Sequence, residues 1–548
     1  VSRKKRGPRP RETAAPGPYP ARGPDESRRV EPLVQAAGLA AILLLAAGLR
    51  CAWLDPVVGG FHCFNEAHYV LIAQNFFHGS PLSPTPDGQY VFLETPPLYP
   101  YLLHAVFRAT GVSVVAARLV SIVSSLALVL ATFFFSRKLF GSSAGWTAAL
   151  IVAVSPVAVL TGRNIQTDST LLFFLVAALF FYWRADDGSR ADRLRSGLFA
   201  GLALFTKLFA GIAVAAVVVW ELATKKQGWL KDRTRWTAAA IAFLLPGLFY
   251  GYHALRDFAY LRRDLAGGAA AATTFPKTAL EWGSIGLEAL WAFSPVIALF
   301  LVAGVAAALA SPSRATLFAL FPLAGFAVFY LFVHKHSYYL LTLLPFGAAL
   351  AGRLVSRLRV PGARAALMIA VALSGAFWSL VDVTSMKSGF SEFAQFGKTA
   401  ADLPGPEHGL LIDREMSDSY APVIRLYDPK ARLTVIDDAP AGADGRLRLP
   451  QKDLYLLRFV PPQAQAPPAG WLFSRTRYGL RLPGATVLEA HPNPHFFRQG
   501  RYFVDKTGGL FELGRREFRT YPALLLLPVP GDLALYRTRR GLEARPAP

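Results

Sequence analysis

Cysteine and charge are what this chain has least of. Two cysteines in 548 residues, Cys51 and Cys63, exclude a disulfide scaffold and a cysteine-rich metal centre. Both stand near one end of the first apolar run, where a bridge is chemically possible in an oxidising compartment and two separate thiols fit equally well. Charged residues make up 17% of the chain against 53% hydrophobic, with a mean hydropathy of +0.33, which is too apolar for a soluble protein of this size. Acid is scarcer than base, 36 against 58 residues, for a net charge of +22. No internal repeat is visible, and no low-complexity tract follows the N-terminal tail.

What is present is a series of apolar runs of spanning length. They fall at about 34–53, 115–135, 144–161, 169–184, 197–206, 208–223, 236–254, 288–309, 315–333, 338–356 and 364–383, roughly eleven spans. The run from 197 to 223 is divided at Thr206 and Lys207, because an undivided helix would hold Lys207 at mid-bilayer, where a charge is costly. The basic excess collects in the tail and in alternate loops, at Arg137 and Lys138, Arg184 to Arg195, Lys225 to Arg235, and Arg353 to Arg359. By the positive-inside rule those loops are cytoplasmic, which puts 54–113 and everything after Thr384 outside. The charge therefore reads as topology plus a tail near anionic lipid, not as a nucleic-acid surface.

Three regions follow. Residues 1–33, rich in Pro, Arg and Gly and without the apolar stretch of a signal peptide, read as a disordered cytoplasmic tail. Residues 34–384 form the membrane domain. From 391 to 548 the apolar runs give way to short strand-like segments, GLLIDR, RLTVIDD, DLYLLRF, ATVLEA and RYFVD, between Pro- and Gly-rich turns. This predicts an external soluble domain of α/β or α+β type. PALLLLPVP is too short to cross a bilayer and is read as a buried strand. The fold class is mainly α: a polytopic membrane domain with a smaller soluble one.

The first external loop is the most informative stretch, because an ordinary connection needs none of its carboxylates, histidines and tyrosines. After Asn65 comes an amphipathic run, EAHYVLIAQNFF, suited to a helix along the membrane surface. Turns follow, then Pro96 and Pro97 open a second helical stretch. Glu66 and Glu94 stand near the two helix starts, and Asp168 stands at the mouth of a later span on the same side.

These pieces come in a telling order: NEAHY, YVFLETPPLYP, AARL, GRNIQTD and a TK pair at Thr206 and Lys207, with KHSYYLLTLLP later in the chain. In that order the chain resembles the GT-C membrane glycosyltransferases, most of all the bacterial branch that joins protein O-mannosyltransferases and aminoarabinose lipid A transferases. The resemblance is clearest over 30–210, continues through 335–345 and is weak in the external domain. It implies transfer of a sugar, with inversion, from a polyprenyl phosphate to an acceptor on the outer face of the cell membrane. It implies no organic cofactor.

Attack of a hydroxyl on an anomeric carbon needs a carboxylate to take the proton, while a phosphate leaving group needs cations more than a general acid. The resemblance places an acid first in the loop helix, where this chain has Asn65. Asparagine can cap a helix but cannot accept the proton, so the base role passes to Glu66, with Asp168 the second candidate. An acid at a helix start also has a purely structural use, against the macrodipole. Glu94 matches a metal or substrate contact, with Thr95 where the family carries lysine. Lys207, Arg163 and Lys335 are the candidate phosphate cations, and Tyr69, Tyr338 and Tyr339 the candidate hydroxyl donors. His334 and His336, with Glu94, are the candidate ligands of a divalent metal. Two rival readings remain, a transporter or flippase of a lipid-linked sugar and an inactive binding protein. Transporters concentrate ionisable residues at the midplane, whereas here they gather at the outer face.

Overall fold

The computed structural model describes residues 27–54, 63–88, 90–187, 189–225, 232–270, 275–277, 279–333, 337–387 and parts of 409–546. Residues 1–26 of the tail, the segment RYFVD and the trio His334, Lys335 and His336 lie outside the described residues, while 27–33 are helical.

Every apolar run read from the sequence lies on a helix or a helix pair. In chain order the helices are α1 (Ser27–Cys51), α2 (Cys63–Asn75), α3 (Leu98–Thr110), α4 (Val114–Phe140), α5 (Ser142–Val154), α6 (Pro156–Arg163), α7 (Asp168–Arg184), α8 (Arg190–Thr206), α9 (Ala210–Lys225) and α10 (Arg233–Ala270). They continue with α11 (Ala279–Phe293), α12 (Pro295–Ala310), α13 (Arg314–Val333), a 3-10 segment Ser337–Leu343, α14 (Leu344–Ser356), α15 (Pro361–Lys387) and α16 (Arg414–Tyr427). Among the described residues, five helical stretches are long and apolar enough to cross a bilayer alone, and seven if the bent pairs α5–α6 and α11–α12 each count as one span. Several of the other runs fall on shorter helices such as α7, whose 17 residues reach about 26 Å, just short of a ~30 Å hydrocarbon core. The expected division at Lys207 is present, the residue being extended at φ −162°, ψ 131°.

Close backbone approach holds the bundle together. A Cβ on Gly352 of α14 would lie 2.4 Å from the carbonyl oxygen of Ala144 in α5, so only glycine permits this crossing, as is usual where packing rather than the hydrophobic effect joins helices in lipid. At one end of α7, Tyr182 donates to Glu221 of α9, which also accepts from Arg235 of α10 at 2.7 Å. Arg314 at the start of α13 pairs with Asp186 beside them. This basic layer and Asp168 stand at opposite ends of α7.

Two expectations need correction. Asn65 is the third residue of α2, not its cap, because the helix begins at Cys63. Nor does α2 present one apolar face to a membrane surface: Glu66, Ala67, Tyr69, Val70, Leu71, Ile72 and Ala73 are all buried. The cover comes from α3, α4 and the distant α16, whose Leu426 packs into the cluster of Tyr69, Tyr99, Leu103 and Phe107. Arg425 of α16 pairs with Asp87 at 3.1 Å. Cys51 is a free, exposed thiol.

Beyond α15 the described strands are β1 (Gly409–Ile412), β2 (Arg432–Val435), β3 (Leu454–Val460), β4 (Trp471–Phe473), β5 (Gly479–Arg481), β6 (Glu489–Pro492), β7 (Ala523–Pro528), β8 (Leu533–Thr538) and β9 (Gly541–Pro546). Five of them form a mixed sheet in the order β2-β1-β3-β7-β6, with β1 parallel to both neighbours and β7 antiparallel to its own. The stretch PALLLLPVP supplies β7, an inner strand of this sheet, as its length required. Helix α16 is the crossover between the parallel pair β1 and β2.

Candidate active site

Several chain segments distant in sequence converge on Asp168. Asp168 opens α7, buried, and its Oδ1 accepts from Lys207 Nζ at 3.1 Å. Lys207 stands at the break between α8 and α9, which frees its side chain from either helix. Its ammonium sits in an aromatic box, 4.9 Å from the ring centre of Tyr339, 5.2 Å from Phe209 and 5.6 Å from Tyr338. Cation–π attraction of this kind strengthens where water is excluded. Tyr69 reaches the same place from α2: its hydroxyl lies beside the side chains of Thr95 and Thr167 and feels the charges of Lys207 and Asp168. Burial raises its pKa above the ordinary tyrosine value, and Lys207 draws it back, so at neutral pH it is a hydroxyl donor.

The carboxylate of Glu66, one turn before Tyr69 on α2, is wholly buried. Arg118 Nη2 of α4 reaches Oε2 at 3.3 Å, and the Ile165 N–H donates to Oε1 at 2.9 Å. One side chain thus ties α2 to α4 and to the turn between α6 and α7. Arg118 belongs to the AARL stretch but was not among the candidates; a lone arginine at the start of an apolar run was the signal available. Asn65 beside it is partly exposed.

The turn itself is polar and enclosed. Asn164, Gln166, Thr167, Asp168, Ser169 and Thr170 are all buried. Thr170 donates to Ser124 at 2.9 Å. Beside Asp168, the Ser169 hydroxyl is buried with no hydrogen-bond partner among the described residues, while Thr167 meets the Tyr69 hydroxyl. Orphaned buried hydroxyls are uncommon in folded proteins, and one beside a buried carboxylate marks a place for a polar ligand.

Other candidates lie elsewhere. Arg163 is buried and donates to the Trp53 carbonyl at 2.8 Å, tying α6 to the end of α1. Glu94 is exposed beside Thr95; partial burial and then Asp264 hold its carboxyl above the usual carboxylate range. Asp264 of α10 fixes this turn, accepting from the Tyr90 hydroxyl at 2.5 Å and the Leu93 N–H at 2.8 Å. No group of three His, Cys, Asp or Glu side chains suited to a metal converges among the described residues.

His68 carries a pH dependence. Its Nε2 is buried without a partner among the described residues, its ring lies 4.3 Å from that of Phe92, and burial lowers its pKa from 6.5 to about 4. Below pH 6.5 the unfolded chain takes a proton that the folded one refuses. Stability should therefore fall as pH drops from about 6.5 to about 4 and change no further on this account below that. Thermal unfolding of the detergent-solubilised protein at pH 7 and 5 checks it, with His68→Phe losing less stability between the two than wild type.

Residues 94–248 match the family model of the dolichyl-phosphate-mannose-protein mannosyltransferases. No curated protein sequence matches the chain. Among solved structures, ArnT from Cupriavidus metallidurans bound to undecaprenyl phosphate superposes with a TM-score of 0.56 at 16% identity, over 76% of this chain and 87% of that one. Archaeal oligosaccharyltransferase AglB from Archaeoglobus fulgidus, in complex with an inhibitory peptide and a dolichol-phosphate, gives 0.53 at 12% identity, over 75% and 66%. The Archaeoglobus fulgidus oligosaccharyltransferase in complex with Zn and sulfate gives 0.51 at 15% identity, over 72% and 62%. These are GT-C glycosyltransferases, and the membrane fold of this chain is GT-C.

Proposed function

We propose that this chain is an integral membrane glycosyltransferase that takes a sugar from a polyprenyl phosphate and passes it, with inversion, to an acceptor hydroxyl at the outer face of the cell membrane. The observation that carries the reading is the Lys207–Asp168 pair in its aromatic box, with the orphaned hydroxyl of Ser169 beside it. A lone ion pair would need no such surroundings. The family match and the lipid phosphates bound by the two neighbours support the donor class. The basic layer at the far end of α7 supports a cytoplasmic N-terminus and an external C-terminal domain.

In this reading Lys207 binds the donor phosphate, with the hydroxyls of Tyr69, Tyr338 and Tyr339 as further donors and Lys335 as a second cation. As the ammonium turns to the phosphate, the Asp168 carboxylate is released to accept a hydrogen bond from the acceptor hydroxyl. The acceptor O–H proton passes to Asp168, the acceptor oxygen bonds to the anomeric carbon, and the bond from that carbon to the phosphate oxygen breaks. Polyprenyl phosphate leaves with the electron pair, its charge held by Lys207. Glu66 holds the turn that carries Asp168, and the Asn65 carboxamide, unable to take a proton, orients the acceptor. A divalent metal would draw on Glu94, His334 and His336, of which Glu94 alone is among the described residues.

The test is incubation of purified protein in lipid with a panel of polyprenyl-phosphate sugars carrying radiolabel and with envelope extract as acceptor. Label should move from at least one donor. Movement from none, with the protein monodisperse, would turn the reading towards a binding protein.

A further inference from the structure

The α5–α6 span is bent by 59° between Val154 and Pro156, and the break leaves carbonyls inside the membrane domain that a continuous helix would satisfy. Pro156 has no N–H, so the Val152 carbonyl has no donor four residues on. A free carbonyl in hydrocarbon costs several kcal/mol. Arg50, at the end of α1 and wholly buried, supplies the donors. Nη2 reaches the Val152 and Ala158 carbonyls at 3.3 and 3.4 Å, and Nη1 reaches Ala153 and Ala46 at 2.8 and 3.0 Å. Nε donates to Ser125 of α4 at 2.8 Å. All five N–H groups of the guanidinium are thereby used, which no other side chain could match. Ser379 of α15 takes the third carbonyl, Val154, at 2.8 Å. Gly162 completes the joint, since a Cβ there would lie 2.3 Å from the Ser125 hydroxyl and 3.0 Å from Arg50 Nε.

Helix α6 leads straight into the turn that carries Ile165, Thr167 and Asp168. We infer that Arg50 is a positioning residue of the transfer reaction: by holding the bend it aims the turn and keeps Asp168 in reach of Lys207. The inference rests on the transferase reading above. It differs from a role in folding alone, because satisfying the carbonyls and holding the bend are separable. In Arg50→Met the Val152 and Ala153 carbonyls at the bend lose their donors; adding Pro156→Ala restores an N–H that a straightened helix directs at Val152.

The experiment measures thermal stability, kcat and donor KM, and amide exchange over 164–170, for wild type, R50M, R50M/P156A and R50K. The expected result is lower stability in R50M and recovery in R50M/P156A. In both, kcat should stay about a hundredfold below wild type with donor KM little changed, and exchange should be faster across the turn. A double variant with wild-type kcat, or R50M within twofold of wild type, would overturn the inference. If neither methionine variant folds, R50K decides. It keeps the charge but cannot span all five acceptors, so a kcat about tenfold down with faster exchange supports the role and wild-type values for both remove it. If wild type itself transfers from no donor, the transferase reading fails separately, and exchange over the turn alone decides whether Arg50 holds it.

Discussion

Asp168→Asn should reduce sugar transfer by about a thousandfold or more, since it removes the base while keeping the size of the side chain. Lys207→Met should raise donor KM and lower kcat together, because its ammonium serves both the bound phosphate and the departing one. Each single change also strands its partner. The pair is buried on both sides, and breaking such a pair from one side costs about 3–5 kcal/mol, whereas removing both charges is often neutral. The double variant D168N/K207M should therefore regain most of the stability that either single loses, with no return of transfer. Chemical denaturation alongside label transfer checks both halves. Full transfer by D168N would remove Asp168 from the chemistry, and additive loss of stability in the double variant would remove the pairing.

Glu66→Gln has the second largest expected effect, and its signature differs. The glutamine oxygen still accepts the Ile165 N–H, but Arg118 loses its counter-charge inside the fold. Stability should fall, kcat should drop about a hundredfold through misplacement of the turn, and donor KM should change little. Arg118→Met should behave alike, and E66Q/R118M should recover stability more than rate. If Glu66 were itself the base, the double variant would sit as low in rate as D168N. A protein that only binds would tolerate Glu66→Gln.

How much of this was legible in the sequence follows from the range of the interactions concerned. The apolar runs and the break at Lys207 were readable, since hydropathy and the cost of a buried charge are local properties. The order of the motifs gave the fold class and brought Asp168, Lys207 and Tyr69 forward as candidates. What covers α2 was not readable. EAHYVLIAQNFF looks amphipathic, but part of its cover comes from α16, over three hundred positions later in the chain. Arg118 and Arg50 were each one basic residue in or beside an apolar run; only the fold supplies Glu66 for the first and the carbonyls of a broken helix for the second. The orphaned hydroxyl of Ser169 is invisible in a sequence, because every serine looks satisfied there. His334, Lys335 and His336 lie outside the described residues.

The central claim is that the donor's bond to phosphate is broken here, not that the donor is carried across the bilayer. Its most direct test is to reconstitute the protein in vesicles with a radiolabelled polyprenyl-phosphate sugar and acceptor, and to follow free polyprenyl phosphate and acceptor-bound label together over a single turnover. The account predicts that the two appear in equal amounts, that the new glycosidic bond has the inverted configuration, and that D168N yields neither. Intact lipid-linked sugar moving between leaflets, with no polyprenyl phosphate released and no difference between wild type and D168N, would contradict it.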